Sequence, residues 1–581
     1  MVLHWNPRVR QVICLVVPVL FLGFAFGPSL LEHVHLAMAP NAINGDACQH
    51  VAPYLQYSHP EIFAGDYVSS YFESCHPVGY RILMRIGARL TEPRQFGIAL
   101  SYFMLFWLVV AGGWAAYRLG GKTAGWFTAA FLLSSPFFLH NMTSGLPRGF
   151  RSPFLALLAA AMATGNPYAI GSVLMAATAF DPAVTLVGGM AFAWVLLATP
   201  SRWRGKTASW SFLRRLAFLA VTGSLIVLVH LPVAISTRSF GSQLGKKDWA
   251  AYPEAGPGGR TEIHAQKDLL AILPQHVREG IGAGLFNTKA AYFRIAGQWI
   301  SRWILRTSAL WWMAAILLLL SFWKGKDRAA IWRLAGILPA SLVAYLAARR
   351  LYPLLFEPDR HLVYPLACIS AILLVTAARA IGLGLEQWLK RHSTPKAASR
   401  AGMSVSGAIL IALFLAMGGT IPRTNGLTRL TPESMEWISF ASTLPENSLI
   451  AGYPQALNAV PLLAHRRVLL NYETLLPYHR NYVDRTRERM QDTIAATYAT
   501  NTAPLLALRE KYGVTHLVLS RRQYDDPPPA IHPPYQAWIA GAFRSGKNAS
   551  WEAVEQRQKA LVFENKTLSV LDLRRITSET P

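Results

Sequence analysis

Long apolar runs separated by short polar loops dominate this chain. Crossing about 30 Å of hydrocarbon takes roughly 20 apolar residues. On that measure the pattern predicts about eleven membrane-spanning helices, at 11–31, 96–117, 123–140, 152–165, 168–180, 183–199, 213–235, 303–323, 330–348, 361–381 and 403–421. The three between 152 and 199 are short, rich in Ala and Gly, and broken at Gly165-Asn166-Pro167 and Asp181-Pro182. Broken spans are tolerated where protein or a water-filled cavity satisfies the freed backbone groups. The first run follows Arg8 and Arg10, as a signal peptide would. It is too long for one and lacks a small-residue cleavage site, so it reads as an uncleaved span.

Basic residues in the short loops set the orientation. Arg8 and Arg10, Arg118 and Lys122, the cluster at 200–215, the cluster at 324–333 and the cluster at 382–402 all fall on one side when there are eleven spans. That side is the cytoplasmic one, with the N-terminus on it. Three larger pieces, 32–95, 236–302 and 422–581, then lie outside. The expected architecture is mostly α: a polytopic transmembrane domain over 1–421 and a small extracytoplasmic α/β domain over 422–581. In the tail, 448–452, 467–470 and 514–519 read as strands, and 568–571 reads as an edge strand. The 505–512 stretch reads as a helix stopped by Gly513.

Composition agrees with the membrane reading: 581 residues, 52% hydrophobic and 15% charged, with mean hydropathy +0.26. The net charge of +25 is spread as loop clusters that orient spans, which argues against a nucleic-acid partner. Of the four cysteines, Cys14 and Cys368 lie inside apolar runs. Cys48 and Cys75 share the first outer loop, where a disulfide and two free thiols are both open readings. No CxxC pair points to a zinc site, and no metal ligand set is assigned.

The candidate chemistry starts in the first outer loop, at 42–94. Asp46 follows Asn44-Gly45 just beyond the first span. A carboxylate there is placed to take a proton from an acceptor hydroxyl while the membrane face holds a lipid-borne partner. The same tripeptide also makes a good turn. Gln49 and His50 lie one helical turn on, and Asp66 and His76 are further polar candidates. Asp46 and Asp66 together are also weak candidates for holding a divalent metal. Residues 80–90 alternate as an amphipathic interfacial helix, with Ile82, Leu83, Ile86 and Leu90 on one face and Arg81, Arg85 and Arg89 on another. Arg148 and Arg151 put positive charge in a short outer loop, against the general trend. Binding an anionic head group is one reason for that, and a local pairing with Asp181 is another. At the mouth of the 361–381 span, Arg360, His361 and Tyr364 share one face of the first turn, as phosphate donors or with Arg360 neutralised by Glu357 or Asp359.

These pieces together resemble the glycosyltransferase superfamily C, bacterial members with an outer C-terminal domain included. The matching places are Asp46 with Asn44-Gly45, the 80–90 helix, and 358–365 (PDRHLVYP). In the tail they are 461–469 (PLLAHRRVL), 471–473 (NYE), 477–479 (PYH) and 508–519 (LREKYGVTHLVL). The resemblance implies an integral enzyme of the cell envelope, in the inner (plasma) membrane. It would move a hexose or pentose from a polyprenyl-phosphate carrier to a glycan, lipid or protein acceptor on the extracytoplasmic face. Many such proteins carry two adjacent acids in the first loop. Here Asp46 is followed by Ala47 and Cys48, which leaves one acid, or a second supplied by Asp66. The resemblance further implies inversion at the sugar, Asp46 as general base, and Arg148, Arg151, Arg360 and His361 on the leaving phosphate. Gln49, His50, His76 and Tyr364 complete the expected substrate contacts. Two other readings stand beside it: an envelope polysaccharide polymerase or ligase centred on 236–302, and a lipid or polysaccharide transporter without catalysis.

Overall fold

The computed structural model describes residues 7–200, 207–260, 269–285, 328–352, 355, 357–416, 423–525, 528–529, 531–546 and 551–577. The predicted span at 303–323 and parts of the 236–302 loop lie outside the described residues. Elsewhere the helices stand where the apolar runs put them. Five are long and apolar enough to cross a membrane: Val16–Met38, Pro93–Ser134, Phe212–Ser236, Arg328–Leu351 and Pro358–Leu389. The chain is a multi-pass membrane protein.

Pro93–Ser134 covers two predicted spans. Gly121 (φ 79°, ψ −172°) breaks it, a conformation that costs a residue without a Cβ little. The two halves then lie against each other: a Cβ at Gly113 would sit 3.2 Å from the Gly125 carbonyl oxygen. Arg151–Thr164, Pro167–Phe180 and Pro182–Ala193 have 14, 14 and 12 residues. At 1.5 Å per residue, 14 residues reach only about 21 Å. They are packed inside the bundle, and nearly every side chain of Arg151–Thr164 is buried, as an all-round apolar helix requires. Its C-terminus is closed by Gly165 in the left-handed region and by Arg333. The Arg333 guanidinium donates to the carbonyls of Met162 (2.7 Å) and Ala163 (2.6 Å). Arg333 belongs to a loop cluster expected to orient the spans. Buried, it caps a helix instead.

The 42–94 loop is pinned from several sides. Its start, β1 (Ala42–Ile43), pairs antiparallel with β2 (Thr428–Arg429), where the chain leaves the membrane helices. Arg94 donates to the carbonyls of Ala37, Ala39 and Ala42 (2.9, 2.6 and 3.1 Å) and so closes the end of the first helix. The amphipathic helix runs over Val78–Leu90. Ile82, Ile86 and Leu90 are exposed, while Arg81 and Arg85 turn back to Ser236 and Glu73. That leaves one apolar ridge facing out, as an interfacial helix presents.

After residue 430 come β3 (Leu449–Gly452), β4 (Arg467–Val468), β5 (His516–Ser520), β6 (Leu561–Glu564) and β7 (Leu568–Asp572). They form one mixed sheet in the order β4-β3-β5-β7-β6. The predicted edge strand β7 lies inside the sheet, because β6, not foreseen, pairs along its outer side. Phe563 of β6 is held there by stacking on Phe440 (4.8 Å between ring centres). The tail packs on the 42–94 loop through Tyr482, which stacks on Tyr71 at 3.5 Å.

Of the two readings left open for the loop cysteines, the structure has the second: Cys48 and Cys75 are both free thiols. Cys48 is buried against the tail, with its Sγ donating to the Asn458 carbonyl (2.6 Å). Cys75 ends the Tyr67–Cys75 helix beside Ser74. The two thiols thus have different partners. In denaturant without reductant, both cysteines are expected to react with a maleimide. Failure of both to label would restore the disulfide.

Candidate active site

Asn44 builds the turn that aims Asp46. Its Oδ1 accepts from the Asp46 N–H (3.0 Å), the Asx arrangement that competes with regular structure. Its Nδ2 donates to the Thr143 carbonyl (3.4 Å). Asp46 precedes the short Ala47–His50 helix, yet its side chain does not cap it. The carboxylate instead meets the Arg148 guanidinium in an ion pair. Arg148 comes from the turn Pro147–Phe150, directly ahead of the buried Arg151–Thr164 helix.

Three further arginine–carboxylate pairs surround this one. Buried Arg151 meets buried Asp181 through Nε (2.8 Å) and Nη2 (3.1 Å), and its guanidinium lies over the Tyr364 ring at 4.6 Å. The Tyr364 hydroxyl donates to Asn141 Oδ1 (2.6 Å). Arg360 pairs with Glu357. Arg260 donates to Glu473 (2.8 Å) and stacks over Tyr472 at 4.3 Å. Gln49 donates to the same Glu473 carboxylate (2.8 Å). Burial, opposed by Arg260 and reinforced by Asp46, holds Glu473 above the ordinary carboxylate range.

Behind Asp46 runs a chain of neutral groups. His50 Nδ1 and His76 Nε2 are 2.8 Å apart, and His76 Nδ1 is 2.9 Å from the Tyr54 hydroxyl. Burial, then Arg148, then Arg360 bring His50 down to about 3. His76 is also held well below its usual value, by burial first and His50 next. Both rings are neutral near pH 7.

The structure therefore gathers Asp46, Gln49, His50, Arg148, Arg151, Arg360 and Tyr364. Arg148, Arg151 and Arg360 all lie within electrostatic reach of the Tyr364 hydroxyl. His76 stands one layer behind, through His50. His361 is buried and turned to its own loop, with Nε2 2.9 Å from the Leu355 carbonyl. Asp66 caps the Tyr67–Cys75 helix, accepting from the Ser69 N–H (2.8 Å), and its charged neighbour is Arg489 of the tail. Among the described residues, the one group with metal-ligand spacing is His59, Glu92 and His465, and neither Asp46 nor Asp66 belongs to it.

Sequence reasoning missed Glu473, Arg260 and Tyr478, which senses Glu357, Arg360 and Arg260. Glu473 and Tyr478 lie in the 471–473 and 477–479 stretches already noted in the tail. Arg260 follows a Gly-rich loop and carries no local signal.

The neutral histidines make a pH prediction. With the folded value near 3 and the unfolded value near 6.5, the unfolded chain takes up the His50 proton first. Stability is intact above about pH 6.5 and falls toward pH 3, at about 1.4 kcal/mol per unit for one such group. Thermal melts of the wild type are expected to fall across that window, and those of His50→Gln to fall less steeply. Identical profiles would refute the assignment.

No family model matches the chain, and no curated protein matches it. Solved structures do. The archaeal oligosaccharyltransferase AglB from Archaeoglobus fulgidus, in complex with an inhibitory peptide and a dolichol-phosphate, aligns at TM-score 0.50 and 11% identity, over 94% of this chain and 72% of that one. ArnT from Cupriavidus metallidurans in the apo state aligns at TM-score 0.44 and 13% identity, over 99% and 100%. At such identities the likeness is one of fold: the chain shares the fold of the oligosaccharyltransferase structure.

Proposed function

We propose that the chain is a membrane glycosyltransferase of the cell envelope, lying in the inner (plasma) membrane with its N-terminus cytoplasmic and its tail outside. In this reading it moves a hexose or pentose from a polyprenyl-phosphate carrier to an acceptor hydroxyl or amide on the extracytoplasmic face. The observation that carries the reading is the cluster of four arginine–carboxylate pairs that includes Asp46. The Nε of Arg148, the Nη1 of Arg151 and the Nε of Arg260 are buried and have no hydrogen-bond partner among the described residues. Buried donors left unspent call for an acceptor, and guanidinium groups match phosphate oxygens.

Asp46 is the candidate base. Its carboxylate takes the proton as the acceptor attacks the anomeric carbon, and the bond from that carbon to the phosphate oxygen breaks. Charge develops on the departing lipid phosphate, where Arg148, Arg151 and Arg360 oppose it. Arg148 now holds Asp46. A phosphate binding there competes for the same guanidinium, so donor binding releases the base. The fold of an oligosaccharyltransferase solved in complex with a dolichol-phosphate supports a lipid-phosphate donor over the polymerase and transporter readings.

The test uses purified protein in detergent with a panel of polyprenyl-phosphate hexoses and pentoses. Asp46→Asn is expected to bind polyprenyl phosphate and to lose transfer by about 100-fold or more. Arg360→Gln is expected to weaken lipid-phosphate binding by about tenfold or more, since one charge-assisted hydrogen bond contributes about 1.5–3 kcal/mol. A fully active Asp46→Asn would sink the mechanism.

A further inference from the structure

We infer that His59, Glu92 and His465 form a zinc site that fastens the tail to the first outer loop, apart from the arginine cluster. The three side chains come from three places. His59 ends the Leu55–Ser58 turn, Glu92 precedes the Pro93–Ser134 helix, and His465 closes the Val460–Ala464 helix in the tail. Their ligand atoms all lie within 4.8 Å of one another. His59 Nε2 is 2.9 Å from one Glu92 oxygen, and His465 Nε2 is 3.8 Å from the other. Ligands at about 2.0–2.2 Å from a tetrahedral zinc stand about 3.4 Å apart, so small side-chain rotations close the set. Two imidazoles and a carboxylate are borderline ligands that suit zinc.

Three features go beyond proximity. The other nitrogen of His59, Nδ1, faces Glu61 at 3.4 Å, and a carboxylate behind a ligating histidine fixes the tautomer that leaves Nε2 free for the metal. His465 ends its helix in the left-handed region (φ 51°), which histidine enters more readily than most residues with a Cβ. Its neighbour Arg466 donates to the carbonyls of Ser442, Ala464 and Leu444. This cap places the His465 ring 4.5 Å from that of His59. Finally, Glu92 and His465 line a cavity of about 330 Å³, which leaves room for a water as fourth ligand.

The experiment uses full-length, tag-free protein in detergent, stripped with a chelator, exposed to zinc chloride and desalted. The wild type is expected to retain one zinc per chain and to melt higher with zinc than without. Glu92→Gln and His465→Gln are each expected to weaken zinc binding by about tenfold or more and to remove the zinc-dependent rise in melting temperature. Their elution as monodisperse protein shows that they fold. Asp46→Asn is expected to bind zinc as the wild type does, so the outcome is independent of the transferase reading. A wild type that retains no zinc, or variants that retain it with unchanged affinity, would overturn the site.

Discussion

Charges withdrawn from water must be paired, and at the mouth of this bundle that rule organises the structure. Arg148 faces Asp46, Arg151 faces Asp181, Arg360 faces Glu357 and Arg260 faces Glu473. Removing one partner of a buried pair leaves an uncompensated charge, which costs several kcal/mol. Each pair therefore specifies where two segments must meet. Three of the four join distant parts of the chain, and Arg360 and Glu357 hold one turn together. Arg151 and Asp181 are buried and the other three pairs are partly exposed, and pairs of either kind often fail to add net stability. Their persistence at one face is better explained by what the arginines do.

The same pairing links the tail to the loops between the membrane helices. Glu473 draws together Arg260 from the second loop piece, 236–302, and Gln49 from the first, 42–94. Arg487 of the tail pairs with buried Glu254 in that second piece. Stacked tyrosines, the short β1–β2 pairing and the Cys48–Asn458 hydrogen bond add contacts on the same side. The tail thus contributes a wall of the site.

Some expectations gave way to local competition. Asp66 follows a glycine just ahead of a helix, and the free N–H of Ser69 claims its carboxylate. His361 turns to a backbone carbonyl in its own loop, while Tyr364, one turn on, keeps the face toward the arginines. Arg333 sits in a basic loop cluster and yet closes a buried helix, donating to the Met162 and Ala163 carbonyls at the end of Arg151–Thr164. In each case the residue type was visible, and its partner was not.

The sequence by itself determined the membrane class, the places of the described helices, most tail strands and the polar loop that bears Asp46. Hydropathy and turn chemistry are local, and they act over a few residues to a few tens. The tertiary structure decided which charges meet: that Asp46 reaches Arg148 while Asp66 caps a helix, that Glu473 and Arg260 join the site, and that His465 swings to Glu92. Those outcomes depend on contacts between residues up to several hundred positions apart. Nothing in a single sequence encodes such a distance directly, because any arginine can pair with any acid until packing brings one within reach.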